Sequence, residues 1–171
     1  ILNEVNFGNP RNSAKRDYAS GGETNFIGNI SLPLYAGRHL MTIRPEGYTS
    51  YIRDLAVVAM GNWEKLFAAN TIHYINSTII EINQYGSPNY QFESFAKYWS
   101  EMKGFALAMQ FNPNAIISKN NFLKLHTFFG DKPVLPHASA GKVKAYVEKL
   151  TQARNILRDT YGFSDALAKK W

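Results

Sequence analysis

The chain has 171 residues, 45% of them hydrophobic and 19% charged, and its 19 basic and 13 acidic side chains give a net charge of +6. That length supports one domain with a sizeable core, and that composition excludes a disordered chain. The absence of cysteine excludes disulfides and thiolate metal sites, and no apolar run is long enough to span a bilayer.

The basic residues are spread over RNSAKR, KVKAYVEK and AKKW rather than gathered in one run. Such spacing reads as a solvated surface, and nucleic acid is not an expected partner. Residues 1–47 hold Asn3, Asn6, Asn9, Asn12, Asn25 and Asn29, the pair Gly21–Gly22 and three prolines. Asn and Gly accept left-handed turns and proline removes backbone donors, so the stretch reads as irregular chain. The expectation is a wrapping or linker segment over 1–47, ahead of a helical bundle domain over 48–171.

From Thr49 the apolar period becomes helical. Ile52, Leu55, Ala59, Leu66, Ala69, Ile72 and Ile79 recur at three, four or seven residues. Thr49 or Ser50 is placed to cap this element, Gly61–Asn62 to kink or split it, and QYGSPN to end it near Gly86. A second helix is predicted from about Phe92 to Phe111, stopped by Asn112–Pro113. Ser118 caps a third, shorter helix ending at Gly130, and DKPVLP forms a rigid connector. Ser139 or Ala140 opens a fourth, with Val143, Tyr146, Val147, Leu150 and Leu157 on one face, ending at Gly162. The fold class predicted is all-α, with helices packed antiparallel across short connections.

The second helix carries an unusual run, KYWSEMKGFALAMQFNP. Phe95, Trp99, Met102, Phe105 and Met109 form its apolar face. Beside them Ala96, Ser100, Gly104 and Ala108 recur every fourth residue, a ridge of small side chains suited to close helix packing. Glycine inside a helix costs about 1 kcal/mol relative to alanine, and a close neighbour would compensate. Lys97 and Glu101 lie one turn apart next to that ridge. Asn70, His73, Asn76 and Ser77 form a polar stripe at helical spacing on the long first helix. Three readings fit Asn70, His73, Asn76, Lys97 and Glu101: a hydrogen-bonded seam that fixes register, a ligand or metal site between helices, or a solvent-facing stripe.

No catalytic residue and no metal site is predicted. His39, His73, His126 and His137 pair neither with one another nor with a carboxylate at i, i+3 or i+4. No Gly-x-Ser-x-Gly elbow or phosphate-cradling glycine loop occurs.

Four stretches, WEKLFAANTIHYIN, AKYWSEMKGFALAMQFNP, GDKPVLP and ARNILRDTYGFSDALAKKW, resemble the C-terminal half of an uncharacterised imelysin-like family of Bacteroidota and marine bacteria. The similarity spans about residues 50–171. Its most specific part is the run Trp99-Ser100-Glu101-Met102-Lys103-Gly104-Phe105, with Gln110-Phe111-Asn112-Pro113 after it. The resemblance implies an imelysin-like helical bundle and an extracytoplasmic setting, periplasmic or as a cell-surface lipoprotein of the outer membrane. It also implies a link to iron uptake, with iron as a cofactor of the full-length protein rather than of this chain. The His-Trp-Asp-Glu cluster of the family's N-terminal half is missing here. The imelysin motif Gly-x-His-x-x-Glu finds only GRHLMT at residues 37–42, where Thr42 stands in place of the glutamate. The chain therefore reads as part of a larger protein. Its expected partners are that protein's N-terminal half, or another chain of an outer-membrane complex. The leading expectation is a non-catalytic binding domain. The alternatives are an imelysin-type peptidase with its catalytic group outside these residues and a structural subunit of an outer-membrane assembly.

Overall fold

The computed structural model describes residues 8–171. Seven α-helices follow one another: α1 (Gly8–Ser20), α2 (Phe26–Ile43), α3 (Tyr48–Ile82), α4 (Phe92–Ala108), α5 (Lys119–Phe129), α6 (Ala140–Tyr161) and α7 (Asp165–Lys170). A 3₁₀ turn over Met109–Phe111 continues α4. There is no strand among the described residues, and the all-α expectation holds.

The central element is α3, and α1, α2, α4, α6 and α7 all pack on it, while α5 joins α4 to α6. The predicted faces are buried in the body of the molecule, but Ile52 and Leu55 at the start of the predicted α3 face, and Ile79 near its end, are only partly buried. Ala59, Leu66, Ala69 and Ile72 of α3 are buried, with Phe95, Met102 and Met109 from the α4 segment and Tyr146, Leu150 and Leu157 from α6. Ser118 caps α5, its Oγ accepting from the Asn121 N–H, and Gly162 ends α6 in the left-handed conformation at φ 67°. A non-glycine residue would be strained there.

Three expectations need correction. Residues 8–20 and 26–43 are helical, not irregular, and residues 1–7 of the predicted segment fall outside the described ones. What makes this possible is capping across the turn. The Asp17 carboxylate accepts from the N–H groups of Phe26 (2.7 Å) and Ile27 (3.0 Å) and from the Thr24 hydroxyl (2.9 Å), while Asn25 Oδ1 accepts from Gly28 N–H. Four orphan donors at a helix start are thus largely satisfied by side chains that composition alone marks as loop-forming. Second, α3 runs unbroken through Gly61–Asn62. Asn62 turns its amide back onto the Val58 carbonyl at 2.9 Å, and Gly61 has the Ile116 side chain against it. Third, Gly47 stands at the N-cap of α3 with no side-chain cap, and the Ser50 hydroxyl donates back to the Gly47 carbonyl instead of accepting from the first turn. Beyond Gly162, for which no element was predicted, the chain forms α7, capped by Ser164, whose Oγ accepts from Leu167 N–H.

The first turns of α3 differ from the rest of it. No residue in 48–58 is buried, whereas most of 64–72 is. This first third of α3 pairs with α2 as a two-helix arm. The arm exposes Leu32, Leu34, Tyr35, Tyr51 and Val58 to water.

Candidate functional site

The residues singled out in the sequence separate into two places. Asn76 is buried and structural: its amide donates to the carbonyls of Ala168 (2.9 Å) and Trp171 (3.3 Å), and its Oδ1 accepts from Arg154 at 2.8 Å. One side chain thereby fastens α3 to α6 and α7. Asn70 is also buried, and His73 is half-buried beside Arg16 of α1 and the Trp171 backbone. Burial, the Arg16 charge and, to a smaller extent, Lys15 push the His73 imidazole down to about 4, against a hydrogen bond with the Trp171 backbone that favours its charged form. Lys97 and Glu101 lie elsewhere. Lys97 is exposed, and neither side chain hydrogen-bonds to Asn70, His73 or Asn76. Glu101 is half-buried near Tyr74, where its charge adds to the effect of burial in raising the tyrosine hydroxyl.

The small-residue ridge is not a helix-packing groove. Ser100 and Gly104 are exposed, and a Cβ placed on Gly104 would meet nothing within 4 Å. Ser100, Gly104 and Ala108 instead line an open concavity with Phe67, Glu101 and Phe105. Helical spacing identifies a ridge but not whether a neighbour lies against it: Phe95 and Met102 are the fully buried side chains of α4, Phe105 packs on Phe67 and Tyr74 of α3, and Ser100 and Gly104 are left exposed.

The other members of the same run act as fasteners. Trp99 Nε1 donates to the Tyr146 hydroxyl at 2.8 Å, and that hydroxyl donates to the Phe129 carbonyl at 2.9 Å. Lys103 donates to the Gly130 carbonyl at 2.7 Å, so α4 holds the cap residue just past α5. Burial raises the Tyr146 hydroxyl to about 12, which keeps it a neutral donor.

The feature that sequence reading missed is Glu64, a carboxylate only 2% exposed in the middle of α3. It has no cationic partner among the described residues, where the ion pairs are Arg158 with Asp159 and Asp165, and Lys169 with Asp165. Its charge is met by donors. Oε1 accepts from Ile116 N–H (2.9 Å), Ile117 N–H (3.0 Å) and the Tyr161 hydroxyl (2.7 Å), and Oε2 accepts from the Asn112 amide. Burial, and then the bond to Glu64, push the Tyr161 hydroxyl strongly upward, so it stays protonated and donating. Glu64 therefore ties the 112–117 loop and the end of α6 onto α3. The available signal was its place on the buried side of α3, three residues after the partly buried Gly61 and two before Leu66.

Above this network lies a cleft of about 180 Å³, walled by Met60, Trp63, Phe67, Met109 and Phe111, with Glu64 and Asn112 on its floor. Phe111 is 79% exposed at its mouth. The floor carboxylate is saturated with donors, so the cleft offers apolar contact and aromatic faces rather than a free anionic ligand. No group of three or more His, Asp or Glu side chains able to hold a metal occurs among the described residues. No helix is long and apolar enough to cross a membrane, again among the described residues. Compared with family models, curated proteins and solved structures, the chain matches none.

Proposed function

We propose that this chain is a non-catalytic binding domain of imelysin-like type that recognises a compact, largely apolar group in the cleft beside Trp63. The observation that carries the reading is the cleft itself: an open apolar concavity on a floor held rigid by the Glu64 network. Ligand pockets are commonly apolar walls around a few fixed polar groups, and this one would hold a group of benzene-like size. The imelysin-like resemblance extends the proposal to an extracytoplasmic setting, as a periplasmic or cell-surface lipoprotein serving iron or nutrient uptake. Iron in that scheme belongs to the full-length protein.

The experiment follows the Trp63 indole N–H and the Met60 and Met109 methyl resonances while small aromatic and aliphatic compounds are titrated in. Saturable shifts confined to these signals, lost in Trp63→Ala, support the reading. If no compound moves them, the cleft is not a recognition site. Iron content of the full-length protein, with and without this domain, tests the uptake scheme separately.

A second reading, a structural subunit of an outer-membrane assembly, is favoured by one observation: the two-helix arm of α2 and early α3 leaves large apolar side chains in water. A helix apolar on several sides is normally covered.

A further inference from the structure

The seam between α3 and α4 does not end at the Trp63 cleft. Past Phe67 and Ala108, which line both spaces, a more open hollow of about 350 Å³ extends to Phe105, Gly104 and Glu101. Aromatic rings follow the same seam. Phe105 lies 6.2 Å from Phe67 and stacks on Tyr74 at 5.7 Å, and Tyr74 in turn lies 6.2 Å from Tyr98. Gly104 keeps the hollow open, since a Cβ there would meet nothing within 4 Å.

Glu101 is the charged side chain of this hollow, and it is half-buried. Its carboxylate forms no ion pair and accepts no hydrogen bond among the described residues. Glu64, on the floor of the adjoining cleft, is by contrast filled with donors. Cations stand near Glu101 without closing on it. Lys97, one turn earlier, is exposed, and Arg11 and Arg16 act on the same Tyr74 hydroxyl as Glu101, yet none of the three pairs with it. No described basic side chain lines the hollow.

A single carboxylate offers too few ligands for a metal ion. Beside Phe67 and Phe105 it suits an organic cation, because the carboxylate supplies the countercharge and ring faces attract the cation and cover its hydrocarbon. Glu101 and Ala108 are seven residues apart on one side of α4, which separates the carboxylate from the cleft by about 10 Å.

We propose that the Trp63 cleft and the Glu101 hollow form one groove for a small amphipathic amine, its apolar end in the cleft and its ammonium group at Glu101. The proposal rests on the Trp63 reading and adds the charge and the length of the occupant.

The test uses two probes of that length, a phenylhexylammonium ion with its charge at the chain end and the matching neutral phenylhexanol, both kept below self-association. The Trp63 indole N–H reports the cleft and the Gly104 backbone N–H the hollow. Both probes are expected to move Trp63, and the amine alone to move Gly104. A half-exposed ion pair and a cation–π contact are each modest, so the amine should bind about tenfold more tightly than the alcohol. Glu101→Gln, or salt at about 0.5 M, should cut that advantage to less than about threefold. Gly104→Leu, which projects a side chain into the hollow, should weaken the amine and leave the alcohol unchanged. Equal affinities in wild type, or an advantage that survives Glu101→Gln, overturn the amine site while the Trp63 reading stands. If the amine moves Gly104 and neither probe moves Trp63, the apolar anchor is wrong and both readings fall.

Discussion

Glu64 shows how one carboxylate can be buried without a countercharge when enough dipoles converge on it. Two backbone N–H groups of the 112–117 loop, an amide and a phenol take the place of the lost water. Glu64→Gln presents an NH₂ group to donors where an acceptor stood. It is expected to lower stability by about 2–4 kcal/mol, measured by urea unfolding, with Tyr161→Phe costing less because it removes a single donor. A Glu64→Gln variant as stable as wild type would show that the network contributes nothing. His73 carries a pH dependence of defined sign. Its folded value, near 4, lies below the ordinary 6.5, first because of burial and then because of Arg16. Between those values the unfolded chain binds the extra proton, so the contribution is complete above pH 6.5 and is lost as pH falls towards 4. With the imidazole partly screened by solvent, the loss should be on the order of 1–2 kcal/mol. His73→Gln should flatten that part of the stability–pH curve, and an unchanged curve would remove His73 from the account.

Elements in this protein end and begin on side chains of their neighbours. Asp17 near the end of α1 caps α2, and Lys103 on α4 binds the Gly130 carbonyl just past α5. α4 also contains an opportunity for stabilisation. Gly104 sits inside the helix with open space where a Cβ would stand. Gly104→Ala should therefore raise stability by about 0.5–1 kcal/mol, from helix propensity and the reduced freedom of the unfolded chain. Leucine at the same position should incur no overpacking cost. A drop in the denaturation midpoint for the alanine variant would indicate a neighbour in solution that lies over the ridge.

At the scale of the whole molecule, the body and the arm obey different accounts. Around Leu66–Ile75 the side chains of α3 are enclosed by α4 and α6, whereas α2 and residues 48–58 of α3 share one interface and leave their remaining apolar side chains in water. Substitutions on the arm should change surface behaviour without changing stability. Leu32→Glu combined with Tyr51→Gln is expected to reduce binding of a hydrophobic dye, while the unfolding free energy stays within about 0.5 kcal/mol. A large loss of stability would show that these residues are covered in solution, which analytical ultracentrifugation of the wild-type chain would then reveal as self-association.

Apolar periodicity by itself determined the all-α class, the helices α3 to α6, and the buried faces of α4, α6 and α3 from Ala59 onward. A 3.6-residue period needs only local sequence to be read, and Ser118 and Gly162 act within a turn of their own helices. Tertiary structure decided the rest. Residues 8–43 are rich in turn formers, yet Asp17 reaches across the turn to cap α2, a contact that composition cannot register. Whether the ridge at Gly104 faces a helix or solvent depends on which face α4 gives to α3, and spacing leaves both choices open. The donors of Glu64 come from residues 48 to 97 positions away. Periodicity acts along the chain, but charge compensation acts through space, so the sequence could show the helices and only the packed molecule could show where a charge is satisfied and where it is not.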